Sequence, residues 1–450
     1  MSAPASQRRR SGLILLAALA AAAGTALAGQ AFDPPRPWKN PPEKFVLATG
    51  VPCIYQKDPV SPTTVVGLFI GGGKSGVPSG LDGLAAMSTR LLLEIPDEGK
   101  VQDLMAQATR LSYVCVEDSS IVLIECLTEH LEKALRLAGK IIQAPLISGL
   151  RVGRAKDLMA ANGKTDEDDP VAVARNVVFS AFFGAAGYGS ALYGTEPSLK
   201  AIDRKEVVSF VRRFVVKPNI FFCVETDLDR EPVRRLLEQS FAAFSDGAAA
   251  EIPRQDPALP AERDISREKE TKQIYVGRSY ALPRSGLRDM AKGNLLETLL
   301  GKGPGSRLWT LREDERLAYG VDADLTWTRS AGVLIAYLMT GRERSPEAIK
   351  ALDRTIETLL EKGLTEEEME ATRTMARARF LRASEAKSAR LRTLGLFETL
   401  GLGAGSAAGL LEAMDAVTLE EMNAFVREVL APARALRVTV GPAPAGPSER

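Results

Sequence analysis

The sequence predicts an α+β protein made of two homologous α/β-sandwich-like domains related by internal duplication. Three observations lead to that reading. Short β-rich runs such as "TTVVGLFIGG" and "NIFFCVETDL" alternate with longer helical runs such as "EHLEKALRLAGKIIQ". A charged, Pro-containing stretch without apolar period interrupts this alternation past the middle of the chain. Finally, "AIDRKEVVSFVRRFVVKPNIFFCVETD", from Ala201, lines up with "AVTLEEMNAFVREVLAPARALRVTVGP", from Ala416, sharing Glu206/Glu421 and the Phe-Val-Arg runs at 210–212 and 425–427. Each copy reads as a capped helix, a Pro turn and a strand. "GLDGLAAMSTRLLLE" and "GLRDMAKGNLLETLL" repeat in the same manner, so one α/β unit is used twice, and two such units packed face to face would enclose a cleft.

Taken in order, residues 1–28 carry a basic start (Arg8, Arg9, Arg10), an uncharged apolar run and small residues at Ala26 and Ala28, the pattern of a cleaved secretory signal. The alternative is an uncleaved anchor, since the uncharged stretch approaches spanning length. No cysteine follows the cleavage position to carry a lipid, and no later segment is apolar enough to cross a bilayer. The lead-in at 29–44, "FDPPRPWKNPPEK", is too rich in proline for regular helix or a central strand. A first domain is expected over 45–245, a linker over 246–272 with three prolines and dense charge, a second domain over 273–440, and a disordered tail over 441–450.

Composition restricts function. A chain of 450 residues, 45% hydrophobic and 26% charged, has ample material for two cores. Its 58 basic and 57 acidic residues leave a formal charge of +1, no field to draw in nucleic acid or an anionic membrane. Export permits disulfides among Cys53, Cys115, Cys126 and Cys223. The two nearest lie on a hairpin turning near Asp118–Ser119, where Cys115 is expected opposite Val122 or its neighbour and away from Cys126, so buried thiols are expected.

Several motifs suggest chemistry and lose it on counting. "GGGKSG" (71–76) follows a strand, but a P-loop needs glycine six places before its lysine, and Leu68 stands there. The single histidine, His130, begins an amphipathic helix among Glu125, Glu129 and Glu132, a solvated first turn rather than a convergent zinc site. "TDEDDP" (165–170) reads as a polar turn with carboxylates at the N-terminus of the next helix, and Thr365 with Glu368 as a capping box. There remain Arg312 and Tyr319, seven residues apart in "GPGSRLWTLREDERLAYGV" (303–321). If the helix ends near Arg316 and a strand follows, a guanidinium able to hold carbonyl or carboxylate oxygens and a phenol able to donate to an oxyanion stand beside one turn. The alternative is a charged helix face, with Arg312 paired to Asp314 or Glu315 and Tyr319 half-buried.

That segment resembles the C-terminal half of insulinase-like (pitrilysin-type) zinc metallopeptidases, in which a Gly-rich loop, a Ser-Arg-Leu helix and an arginine-to-tyrosine pair occur at the same spacing. "YGSALYGTEPSLKAI" (188–202), "GLTEEEMEATR" and the duplicated units fit the same family, so the resemblance covers nearly the whole mature chain. The resemblance implies half of a clamshell as architecture. It also implies a His-x-x-Glu-His zinc motif on the helix of "GLDGLAAMSTRLLLE", where this chain has Gly83 and Met87 at the histidine positions and Ala86 at the general base. The third ligand falls near Asn162.

Zinc hydrolysis requires convergent ligands and a carboxylate base, which this chain cannot assemble on that helix alone. The resemblance therefore implies the non-catalytic subunit of an exported, periplasmic peptidase, holding no cofactor itself. Zinc would reside in a partner subunit, and Arg312 and Tyr319 would serve peptide substrate in the shared chamber. The alternative is a structural or chaperone-like envelope protein using the same fold.

Overall fold

The computed structural model describes residues 36–95, 98–259, 261, 263–284 and 286–442. The signal segment 1–28 and nearly all of the expected tail lie outside these residues. Within the lead-in, the prolines do not exclude helix: Arg36–Lys39 forms one short turn with Pro37 in its first positions, where a missing N–H costs no intrahelical bond. That turn belongs to a unit of its own, Met1–Lys39, and Asn40–Arg450 is the other.

The apolar alternation produces two sheets. The first contains β1 (Glu43–Val46), β2 (Pro52–Lys57), β3 (Thr63–Gly71), β4 (Arg110–Cys115), β5 (Ser119–Leu127) and β6 (Ile220–Thr226), in spatial order β1-β2-β6-β3-β5-β4. The second contains β7 (Asp264–Glu268), β8 (Gln273–Leu282), β9 (Gly320–Trp327), β10 (Gly332–Gly341) and β11 (Leu436–Gly441), in order β7-β11-β8-β10-β9. Apart from β1 the two topologies are identical. β2 runs parallel to β6 as β7 does to β11, and every other neighbouring pair is antiparallel. The duplicated helices are capped alike: Glu206 and Glu421 return the bond in capping boxes begun by Asp203 and Thr418.

Two expectations need correction. The first strand of the second repeat, β7, lies inside the stretch 246–272 read as linker. As an edge strand it leaves all but Ile265 of "DISRE" exposed, so no alternation marked it. In the β4–β5 hairpin Cys115 stands opposite Ser120, while Val122 faces Tyr113. All four cysteines are buried free thiols, and burial pushes Cys126 up to about 11 and Cys115 up to about 12.

The repeats exchange helices. One face of the first sheet is covered from its own half, by residues of Leu84–Leu91, Leu131–Gln143, Gly149–Asp168, Arg204–Phe214 and Arg230–Ser240. Its other face receives Lys387–Thr399 from the second half. The approach there is so close that a Cβ on Gly395 would lie 2.0 Å from Phe69 Cζ, and one on Gly67 2.6 Å from Leu391 Cδ2. Conversely, Pro170–Phe183 of the first half buries Ala174, Val178, Phe179 and Phe182 against Tyr275, Val333, Leu436 and Val438 of the second sheet. Each half thus contributes one helix to the core built on the other half's sheet.

A buried ionic cluster fastens this exchange. Arg390, 1% exposed, donates from Nη1 to the carbonyls of Ser384 (2.9 Å) and Glu385 (2.7 Å), and pairs through Nη2 with Asp58 and with Glu225 Oε2 at 2.9 Å. Lys387 Nζ donates to the carbonyls of Asp58 (3.0 Å), Ser61 (3.0 Å) and Thr63 (2.7 Å). Glu225 is in ion-pair contact without an aligned hydrogen bond. Burial therefore outweighs the pull of Arg390 and pushes its carboxyl up to about 8.

Replacing Arg390 with Met would leave the buried Asp58 without its counter-charge and the Glu225 carboxyl without its partner. The expected loss is about 3–5 kcal/mol, read from the denaturant midpoint of unfolding. Glu225 gives a second prediction. Its folded carboxyl titrates near 8, above the unfolded value of about 4.3, so the folded state binds the extra proton and the wild type loses stability as pH rises between those values. Glu225→Gln should remove this slope, so that its stability relative to wild type improves from about pH 5 to about pH 8 and then levels; parallel curves would contradict the assignment.

Candidate functional site

The glycine loop after β3 does not cradle a phosphate. Most of its amides are already used: Gly72 N–H donates to Asp118 O (3.0 Å), Lys74 N–H to Val116 O (2.9 Å) and Ser75 N–H to Glu117 O (2.8 Å), which fixes the β4–β5 hairpin tip. The Lys74 side chain turns inward, with Nζ 5.3 Å from the centre of the Phe179 ring. Burial lowers its pKa, partly opposed by Glu117. Arg175 stacks on the same ring at 4.8 Å and pairs with Glu117 at 2.8 Å.

Beyond this loop starts the helix Leu84–Leu91, where the zinc motif would lie. Gly83 is its N-cap, in the left-handed region at φ +89°. A Cβ there would come within 2.9 Å of Gly194 N and 3.1 Å of the Tyr193 carbonyl carbon. The turn Tyr193–Gly194 is thus packed against the helix start, with Ser198 Oγ donating to Asp82 O at 3.0 Å. Ala86 and Met87 are buried in the core of the first sheet. Asn162 is half-buried on Gly149–Asp168. Asp82 is the only carboxylate beside these positions on the helix's own entry; its Oδ1 has no hydrogen-bond partner among the described residues, and burial raises its pKa.

These residues do not fit a zinc ion. Glycine and alanine carry no donor, the Met87 thioether is a soft, weak ligand enclosed in the core, and Gly83 has no room for imidazole. Among the described residues no three His, Cys, Asp or Glu side chains converge to replace them.

The second half offers the opposite arrangement. Trp309–Glu313 is a helix of little more than one turn, shorter than the expected end near Arg316. Arg316 takes a positive φ of 52°, and Leu317 N–H returns to Leu311 O at 2.8 Å, which closes the turn before β9. Arg312 lies with its guanidinium 4.9 Å from the Trp309 ring centre and Nε 3.6 Å from Glu313 Oε1. Its partner is therefore Glu313, not Asp314 or Glu315. Tyr319 is not half-buried but 66% exposed; its N–H donates to Met339 O at 2.8 Å, and its hydroxyl has no partner among the described residues. The side chains of Arg312 and Tyr319 do not bond to each other. Both are presented from a main chain held by Thr340 Oγ1 on Leu317 O (2.7 Å) and by Arg344 on Arg316 O.

Other motifs take structural roles. His130 closes the 3₁₀ turn Thr128–His130 with Nε2 3.8 Å from Glu129. Thr365 and Glu368 form the expected capping box. The acidic run differs from expectation: residues 165–168 continue Gly149–Asp168, and only Asp169 caps the next helix, accepting from Val171 N–H at 2.9 Å. The Lys74–Phe179–Arg175 stack was not read from the sequence, because Lys74 lies over a hundred residues from the helix that carries Arg175 and Phe179 and shares no motif with it.

One α/β unit occurs twice in this fold, and the positions of the expected zinc motif in the first copy carry no metal-ligating group that fits zinc. Residues 201–375 match the family described as "Peptidase M16 inactive domain". The chain is 23% identical over 383 residues to "Non-peptidase homolog YmxG" of Helicobacter pylori, covering 84% of this chain and 88% of that protein. It is 20% identical over 399 residues to "Uncharacterized zinc protease YmxG" of Bacillus subtilis, covering 86% and 95%. The crystal structure of a peptidase M16 inactive domain from Pseudomonas fluorescens superposes with a TM-score of 0.81 at 22% identity, over 90% of this chain and 98% of that one. A chain of Complex III2 from Candida albicans has the same fold, with TM-score 0.76 at 14% identity, over 89% and 95%. The chain is thus similar over residues 201–375 to a family described as a peptidase M16 inactive domain, and over most of its length it has the fold of M16-type proteins.

Writing the motif back as Gly83→His, Ala86→Glu and Met87→His should not restore a metal site. Gly83→His alone should lower stability by about 1–3 kcal/mol, from positive φ and the Gly194 contact, measured by thermal unfolding. Stoichiometric zinc retained by the triple variant after dialysis would refute this.

Proposed function

We propose that this chain is the non-catalytic, substrate-binding subunit of an exported zinc metallopeptidase, one half of a clamshell that closes over a zinc-bearing partner. The observation that carries the reading is the contrast between the two repeats. The first is packed shut where zinc ligands would stand, whereas the second holds a guanidinium and a phenol out to solvent on a fixed main chain. In the closed pair Arg312 holds a substrate carbonyl or terminal carboxylate. The partner would supply the zinc for hydrolysis, and the Tyr319 hydroxyl would be placed to donate to the developing negative charge on the substrate oxygen. Export, to the periplasm, is read from residues 1–28.

The test is reconstitution with the zinc-bearing chain. Peptide hydrolysis should require both chains, and Arg312→Ala or Tyr319→Phe should each lower kcat by about 10²- to 10³-fold while the complex still forms by gel filtration. Hydrolysis unaffected by both substitutions would remove the role assigned to them. A second reading, a structural or chaperone-like envelope protein, is favoured by the occurrence of the same fold in a chain of Complex III2. It would gain if the native complex, isolated from the periplasm, contained no chain with a His-x-x-Glu-His helix.

A further inference from the structure

Where the exchanged helix Lys387–Thr399 meets the hairpin tip and the edge strand β9, a cleft of about 330 Å³ remains. Its floor is apolar: Phe69, Val114, Ile121, Leu325 and Leu396 line it. Phe69 is held flat by stacking on Phe221 at 4.8 Å. Because residues alternate along β3, Phe69 faces away from Leu68 and Ile70, which belong to the core under Leu84–Leu91. The cleft is therefore on the opposite side of the sheet from the blank zinc positions.

Its charged rim is unevenly satisfied. Glu117 is paired with Arg175, which also donates to Thr326 Oγ1 at 3.0 Å. Asp118 accepts from the Tyr188 hydroxyl (2.6 Å) and from Arg329 N–H (2.8 Å). Arg392 also lines the cleft, one turn before Leu396, and makes no ion pair or hydrogen bond among the described residues. Two wall residues that are more than nine-tenths buried, Trp327 and Thr399, carry polar atoms without hydrogen-bond partners, Nε1 and Oγ1.

We propose that this cleft binds a carboxylate carried on a short apolar body, with the carboxylate on Arg392 and the body against Val114, Leu325 and Leu396, the partly exposed apolar residues of its wall. One uncommitted guanidinium matches one planar monoanion in a two-point contact. The volume lies at the small end of ligand sites and admits roughly ten water-sized groups, which suits a medium-chain fatty acid or the C-terminal residue of a peptide. Binding here requires no partner chain and no metal, so it stands or falls separately from the peptidase-subunit reading.

Trp327 in the wall supplies the signal, one of three tryptophans in the chain. The full chain is titrated with octanoate, octanol, N-acetyl-leucine and N-acetyl-leucinamide, followed by tryptophan fluorescence and calorimetry. At least one acid should saturate with Kd below about 1 mM, while its uncharged counterpart binds about tenfold or more weakly. Arg392→Gln should weaken the acid by a similar factor and leave the neutral compound unchanged. Leu396→Trp, which fills the cleft, should abolish both, with thermal unfolding confirming that each variant is folded. Tighter octanoate identifies a free fatty acid as the source, and tighter N-acetyl-leucine a peptide terminus. Equal binding of acids and neutral counterparts, an unaffected Arg392→Gln protein, or no saturation by either acid below about 10 mM would overturn the proposal.

Discussion

Arg390 sits on a helix of the second repeat, yet the carboxyl groups it contacts belong to the first: Asp58 between β2 and β3, and Glu225 on β6. A guanidinium enclosed to this degree is tolerated only where its partners are fixed, because moving it by one helical turn would strand the buried charges of Arg390 and Asp58 and leave the Glu225 carboxyl without its partner. The cluster therefore sets the register at which Lys387–Thr399 lies on the sheet. Lys387, one turn earlier, adds three carbonyl contacts to the β2–β3 connection. The close approach of Gly395 to Phe69, and with it the cleft beside Phe69, exists only at that register.

The reciprocal helix, Pro170–Phe183, binds the other way by apolar burial, and Arg175 on it reaches across to Thr326 on β9 and to Glu117 in the first hairpin. Each repeat thus completes the other's core. Separating them would expose both helix faces and break the Arg390 cluster together, so opening between the repeats carries a cost close to that of unfolding. In the proposed function the closing motion is accordingly placed between two chains and not within one.

Much of this architecture could be read from the sequence where a physical pattern repeats. Strands buried on one or both faces, such as β3 and β8, announce themselves by apolar runs, and Glu206 and Glu421 mark equivalent helix starts through the same capping chemistry. β7 was missed because an edge strand with one inward side chain leaves no period to detect. The helix exchange was missed for a different reason: "VAVARNVVFSAFF" and "SARLRTLGLFETL" declare that they are buried but not against which sheet. Of the candidate site, the identities at 83, 86, 87, 312 and 319 were legible, whereas the left-handed Gly83 and the tight turn at Arg316 depend on backbone geometry that composition does not encode.

The two repeats show what each kind of site needs in order to persist. At the helix Leu84–Leu91, Met87 and Ala86 are apolar and enclosed, so their burial stabilises the first sheet; polar ligands in the same places would cost stability unless a metal compensated them. The packing of Tyr193–Gly194 over Gly83 follows the same logic, since a glycine at that cap permits an approach that any side chain would prevent. At Arg312 and Tyr319 the energetics point the other way. A phenol two-thirds exposed and a guanidinium held only by a neighbouring glutamate and an indole add little to stability, while the main chain beneath them is fixed by several hydrogen bonds. Packing accounts for the blank positions of the first repeat, but it offers no reason to hold these two groups outward on a rigid turn. Contact with a molecule outside this chain does.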